Sequence, residues 1–185
     1  EDADNGSRPP GLIRLSSTTA TGVQVLQDYG STYGTGNAVH PLTLYRAPSG
    51  ALVFGAGTPQ WSWGLDSNHD RGSGAASTPM RQATVNLFAD MGVQPATLVS
   101  GLTAASASAD TTGPSTTIAA PAAGSTVDSG APITVSGTAA DSGGGVVGGV
   151  EVSTDGGATW HPATGRATWS YSWTPGASGP VTLRA

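Results

Sequence analysis

The chain has no cysteine, no lysine and no long hydrophobic run, and each absence removes a class of explanation. Without cysteine there is no disulfide frame, no thiolate metal site and no cysteine nucleophile, although the compartment is not decided by that alone. The seven basic residues are all arginine. Charged residues make up only 10% of the 185 positions. The net charge of −5 and isoelectric point near 4.8 argue against nucleic acid or an anionic membrane as partner, since both demand a basic face. No stretch approaches the roughly 18 apolar residues of a membrane-crossing helix, so no membrane span is expected. Apolar residues reach only 37%, and Gly, Ala, Ser and Thr fill the remainder. The length suits one or two domains.

What is present divides into two unlike halves. Glu1 to Pro10 is polar and turn-rich. Short strand-like runs follow at 11–15 and 23–26, with Gly30 to Gly36 reading as a loop between strands. Leu42–Tyr45 and Ala51–Phe54 flank Ala47-Pro48-Ser49-Gly50, whose proline and glycine predict a hairpin turn. One helix is well signalled. Thr78 can cap it, Pro79 suits its first turn, and Met80, Ala83, Thr84, Leu87, Phe88 and Met91 recur at helical spacing. Gly92 is placed to end it, and the apolar stripe is expected to pack on the sheet of the preceding strands. Residues 104–114, rich in Ala, Ser and Thr, read as an interdomain linker.

After the linker the pattern is all-β. Candidate strands fall at about 116–120, 132–139, 147–153, 158–162, 167–173 and 180–185, a spacing that predicts a β-sandwich. Asp155-Gly156-Gly157 marks a tight turn, and Trp169, Tyr171 and Trp173 share one strand face. Because a sandwich has one inner face to fill, Trp160, Trp169 and Trp173 are expected in packing; an exposed row for carbohydrate is the sharper alternative. Asp141 to Gly145 reads as a flexible loop rather than a calcium site.

The run Gly149-Val150-Glu151-Val152-Ser153-Thr154-Asp155-Gly156-Gly157-Ala158-Thr159-Trp160, with Trp169-Ser170-Tyr171-Ser172-Trp173, resembles bacterial immunoglobulin-like modules. A similar pattern occurs in the dimerisation domain of sulfite oxidase-type molybdenum enzymes, whose cofactor domain has no counterpart in this sequence. In seven-strand modules one more strand follows the segment beginning at Val181, so the sandwich is expected to be truncated and to leave a sheet edge open for self-association or module–module contact.

In the first half, Leu42 to Thr58 followed by Gln60-Trp61-Ser62-Trp63-Gly64-Leu65-Asp66 resembles the closing segment of the large-subunit-like domain of N,N-dimethylformamidase. The resemblance implies a glutamine-amidotransferase-like α/β fold and amide hydrolysis at an iron held by two tyrosines and a glutamate. Those ligands do not carry over: Tyr29, Tyr33 and Tyr45 match no ligand context, and Glu1, with Asp2 and Asp4, is a weak metal candidate set against plain solvated charge. No cofactor is expected in this fragment; the iron that the resemblance implies would be a matter for the full-length parent. The domains so read are 1–103, the C-terminal part of the amidotransferase-like domain; 104–114, linker; and 115–185, the truncated immunoglobulin-like sandwich. The fold class is α+β and multidomain: a partial α/β (flavodoxin-like) layer, then the sandwich.

Strand-end loops hold ligands in open α/β sheets. The loop after Phe54 therefore supplies the candidate site-lining residues: Trp61, Trp63, Asp66, Asn68, His69 and Asp70. His69 beside two aspartates can serve as base or metal ligand; the plainer reading is a loop histidine with acidic neighbours. His40 and His161 read as structural, and Ser62 lies in no nucleophile elbow. Two functions stay open: a fragment of a secreted bacterial amidohydrolase-like protein with a structural spacer module, or a non-catalytic extracellular binding or adhesion array. The expected partner is the remainder of its own chain. The export reading rests on the Thr/Ser/Gly-rich strands, the Ala/Ser linker and the tandem layout.

Overall fold

Small and β-branched residues carry the first strand further than its short apolar runs suggest. The computed structural model describes residues 8–185; the metal candidate Glu1, with Asp2 and Asp4, lies outside them. Strand β1 spans Ile13–Gln27 and pairs antiparallel with β2, Thr32–Arg46. Gly30 to Gly36, read as a loop from its glycines, is instead the end of a tight turn and the start of β2. The reason is cross-strand packing. A Cβ on Gly34 would sit 2.5 Å from Gln27 Nε2, and one on Gly36 2.5 Å from Val25 Cγ2, so these glycines let the opposite side chains lie across the ribbon. Asp28 accepts from the hydroxyls of Ser31 (2.8 Å, through its carbonyl) and Thr32 (2.7 Å, through its carboxylate), closing the turn.

Strand β3, Leu52–Gly55, pairs with the end of β2. The turn between them is the expected one: the Gly50 amide donates to the Ala47 carbonyl at 2.8 Å, with Gly50 at φ 88°. All three strands run antiparallel, in the order β1-β2-β3. A flavodoxin-like layer is therefore not confirmed, since such a layer is built on parallel strands joined by crossover helices.

Helix α1 spans Thr78–Asp90. Ser77, one residue before the expected Thr78, is the N-cap and accepts from the Met80 amide at 3.5 Å. At the other end, Val93 N–H donates to Phe88 O and Gly92 N–H to Ala89 O, both 2.9 Å, with Gly92 at φ 79°. This pair of bonds is the Schellman arrangement, and it requires the left-handed residue that Gly92 provides. The buried face also differs from the expected stripe. Val85 and Ala89 are buried, whereas Phe88 and Met91 are exposed.

The second half forms the sandwich. Strands β4 (Ser115–Ala120), β5 (Ile133–Ala140), β8 (Thr164–Gly165) and β9 (Thr168–Trp173) make one antiparallel sheet in the order β4-β5-β9-β8. Strands β6 (Glu151–Val152) and β7 (His161–Pro162) make the other, and Arg184 bridges antiparallel to Ser153 beside β6. Between the sheets Val135, Ala139, Val147, Val150, Val152 and Trp169 form a buried cluster against which Tyr171 and Trp173 pack. Of the three tryptophans expected in packing, Trp169 lies in the core and Trp173 packs against it, whereas Trp160 is half-buried outside that cluster. Trp169 lies opposite Gly137 in the β5–β9 register, and a Cβ there would be 2.6 Å from Trp169 Cζ2 and would collide with the Thr117 carbonyl. The indole N–H donates to Thr116 Oγ1 at 3.1 Å, so the buried ring is satisfied. Burial raises the Tyr171 phenol above its ordinary pKa.

The contacts group into two compact units that do not follow chain order. One joins the described residues up to Gly55 with Thr112–Ala185; the other is Ala56–Thr111. Within the first, the start of the chain is clasped to the sandwich. Arg8 Nε lies 2.6 Å from Glu151 Oε1, a buried ion pair whose angles fall short of an aligned hydrogen bond. The Gly11 amide donates to Glu151 Oε2 at 2.9 Å, and Arg8 Nη2 donates to the Leu12 carbonyl at 2.6 Å. No described helix is long and apolar enough to cross a membrane.

Candidate functional site

Trp61–Gly64 is a single 3-10 turn, and the first turns of α1 hold it in place. The Ser77 amide donates to the Gly64 carbonyl at 2.7 Å. Arg81 Nε donates to the Leu65 carbonyl at 2.6 Å. Trp61 Nε1 donates to Thr84 Oγ1 at 3.2 Å. The Met80 thioether occupies the space beside Gly64 where a Cβ would stand.

Beyond the turn, Trp63 stacks on His69 with ring centroids 4.7 Å apart and planes 5° from parallel. His69 Nδ1 lies 3.1 Å from the Asp70 carbonyl and Nε2 3.4 Å from the Gly74 carbonyl. Its ring nitrogens thus face backbone oxygens rather than carboxylates. A base oriented by an acidic neighbour would place that neighbour's carboxylate on one nitrogen. The Asp66 carboxylate instead accepts from the Asn68 amide at 2.7 Å, an Asx turn that sets the loop direction. Asp70 is exposed, 3.9 Å from exposed Arg71. Of the six expected residues, then, the structure brings Trp63 onto His69 and Asp66 onto Asn68; Trp61 is committed to α1, and Asp70 offers its carbonyl to the ring.

The iron ligand set has no assembled equivalent among the described residues. Tyr33 and Tyr45 lie on the same strand, twelve residues apart, so roughly 40 Å separates them at 3.3 Å per residue. Tyr29 is fully exposed at the ribbon tip, and Glu151 is tied to Arg8 and Gly11.

Within the sandwich, the densest polar construction is the turn after β6. Ser153, fully buried, donates its hydroxyl to Asp155 Oδ1 at 2.7 Å and accepts from the Gly157 amide at 2.8 Å. Asp155 Oδ1 also accepts from the Ala158 and Thr159 amides, both at 2.9 Å, and Oδ2 from the Thr159 hydroxyl at 2.6 Å. These bonds, led by those from Thr159 and then Ser153, hold the Asp155 carboxyl well below the usual carboxylate range. The sequence shows Asp-Gly-Gly as a turn, but not that Ser153 and Thr159 close it. Both oxygens of that carboxylate accept from the protein's own donors, so the turn is built for shape.

His161 stacks on Tyr171 at 5.7 Å between centroids, and His40 is half-buried opposite Thr18 in the ribbon.

Two antiparallel sheets around one buried Trp and Val core define a sandwich of the immunoglobulin type. Residues 114–185 match the family model of the bacterial Ig domain. No curated protein and no solved structure matches the chain.

Proposed function

We propose that this chain belongs to a larger extracellular bacterial protein in which residues 114–185 serve as a structural spacer module. The observation that carries the reading is the match to the bacterial Ig domain together with a sandwich whose main polar turn is closed by its own donors. The finer part of the proposal concerns residues 1–103, which we assign to the closing portion of an N,N-dimethylformamidase-like domain. Its support is the sequence likeness from Leu42 to Asp66, which takes in β3 and the loop anchored on α1. In that setting Trp63 and His69 form an aromatic wall beside the site rather than its reacting groups, and the iron ligands lie in the remainder of the protein.

The full-length protein tests both parts. Metal analysis and hydrolysis of a small N,N-dialkylformamide are the first readouts; absence of both iron and amide cleavage would sink the amidase reading and leave the spacer. Deleting residues 112–185 from the full-length protein is the second. The spacer reading expects catalysis per molecule to be unchanged. Loss of attachment to cells or polysaccharide on the same deletion would replace it with the adhesion-array reading.

A further inference from the structure

The clasp between Arg8 and Glu151 has a second consequence. Where the chain start crosses the sandwich it leaves a pocket of about 250 Å³. Leu12 and Ile13 form one wall, Val147 and Val150 another, and the half-buried Trp160 closes a side. An apolar cavity of about 150 Å³ already accommodates a benzene ring, so this one holds a single ring with a short substituent.

Three polar side chains on its rim are engaged by the protein itself. Glu151 gives one oxygen to Arg8 and the other to the Gly11 amide. The Thr116 hydroxyl accepts from Trp169 and donates to the Thr138 carbonyl at 3.2 Å. The Ser115 hydroxyl donates to the Ala140 carbonyl. No arginine or histidine is among the residues lining the pocket, so an anionic ligand would find no counter-charge there and would lose its hydration, a penalty that an uncharged ring does not carry. We propose that this pocket is a binding site for a small, uncharged, aromatic or aliphatic ligand, with Trp160 as its stacking wall and the Arg8–Glu151 clasp holding the Leu12–Ile13 wall in place. The site goes beyond the spacer reading, because it gives the sandwich unit a ligand of its own.

The test uses the whole chain. Toluene is titrated against it, with benzoate as the charged counterpart of the same size, while the thermal midpoint and the methyl resonances of Ile13, Val147 and Val150 are followed. Toluene at roughly 100 times its Kd should raise Tm by several degrees and shift those methyls, and benzoate should do neither. Gly149 lines the pocket and a Cβ on it meets nothing within 4 Å, so Gly149→Phe can fill the space. That variant should keep or raise Tm and lose the toluene response. If it fails to fold, the methyl shifts in the unaltered chain decide alone. Methyls that stay still under toluene, or a response that persists in Gly149→Phe, would overturn the site. A rise in Tm from Gly149→Phe with no toluene response in the parent chain would show a packing gap instead.

Discussion

Between Ser115 and Ala185 six buried apolar side chains meet in one cluster, whereas between Ala56 and Thr111 only Val85 and Ala89 are buried. The second unit keeps its shape largely by polar side chains that reach backbone. Arg81 holds Leu65, and Gln94 Nε2 donates to the Val85 carbonyl at 3.1 Å. Gln82 both donates to the Thr103 carbonyl and accepts from the Thr103 amide, at 2.9 Å each. Asp90 accepts from the Ser108 amide at 2.8 Å. Part of the stretch that composition marks as linker is thus strapped along α1. The comparison teaches what each construction resists. A buried Trp and Val cluster opens only when the sandwich opens, because the hydrophobic term is lost all at once. Half-exposed hydrogen bonds contribute about 1 kcal/mol each and can break one at a time.

The sharpest way to break the contrast is a pair of truncations. Trp169→Ala should cost about 3–5 kcal/mol of sandwich stability in urea titration, since a fully buried ring leaves a cavity. Val85→Ala should cost about 1–2 kcal/mol, read in helical circular dichroism. Equal losses would erase the distinction. Gly137→Ala comes next, at about 3 kcal/mol, because the new methyl meets the Thr117 carbonyl and the Trp169 ring at once; a cost near zero would mean that β4 and β5 can separate freely. Ser153→Ala should follow at about 2 kcal/mol, as the Gly157 amide loses its acceptor in a buried turn. The smallest effect is electrostatic. Asp155 is depressed in the folded state, so its contribution is present above the unfolded carboxylate pKa near 3.9 and is lost as pH falls below it. The urea midpoint should be flat from pH 7 to 5 and decline below about pH 4, and Asp155→Asn should flatten that acid limb relative to the parent chain.

Much of the sandwich was legible from its sequence. Strand spacing placed β4, β5 and β9, and alternation put Trp169, Tyr171 and Trp173 on the inner face, because burial on one side of a strand writes a period of two. The 47–50 turn and the Gly92 helix stop were legible for a similar reason: both depend on the local backbone. What escaped depends on a partner distant in sequence. Gly34 and Gly36 look like loop residues until Val25 and Gln27 are laid across them. Gly137 looks like a weak point in a strand until Trp169 is placed opposite. Glu151 stands between Val150 and Val152 in the sequence with no hint of a partner, yet Arg8, far earlier in the chain, pairs with it and covers it. In the candidate loop, the residue types were legible but not their partners. The stack of Trp63 on His69 and the backbone oxygens around that ring follow from a turn geometry set by Arg81 and Ser77, which belong to the helix.

Native-state hydrogen exchange on the whole chain tests the central claim most directly, that one unit is built on a buried core and the other is held by polar straps. Amides of β5 and β9 that bond across the Ile133–Trp173 register should exchange only through global opening of the sandwich, with a denaturant dependence matching its full unfolding. Amides of α1 should exchange through a local opening of lower free energy and weaker denaturant dependence. Amides of α1 that exchange as slowly as those of β5 and β9, with the same denaturant dependence, would contradict the account.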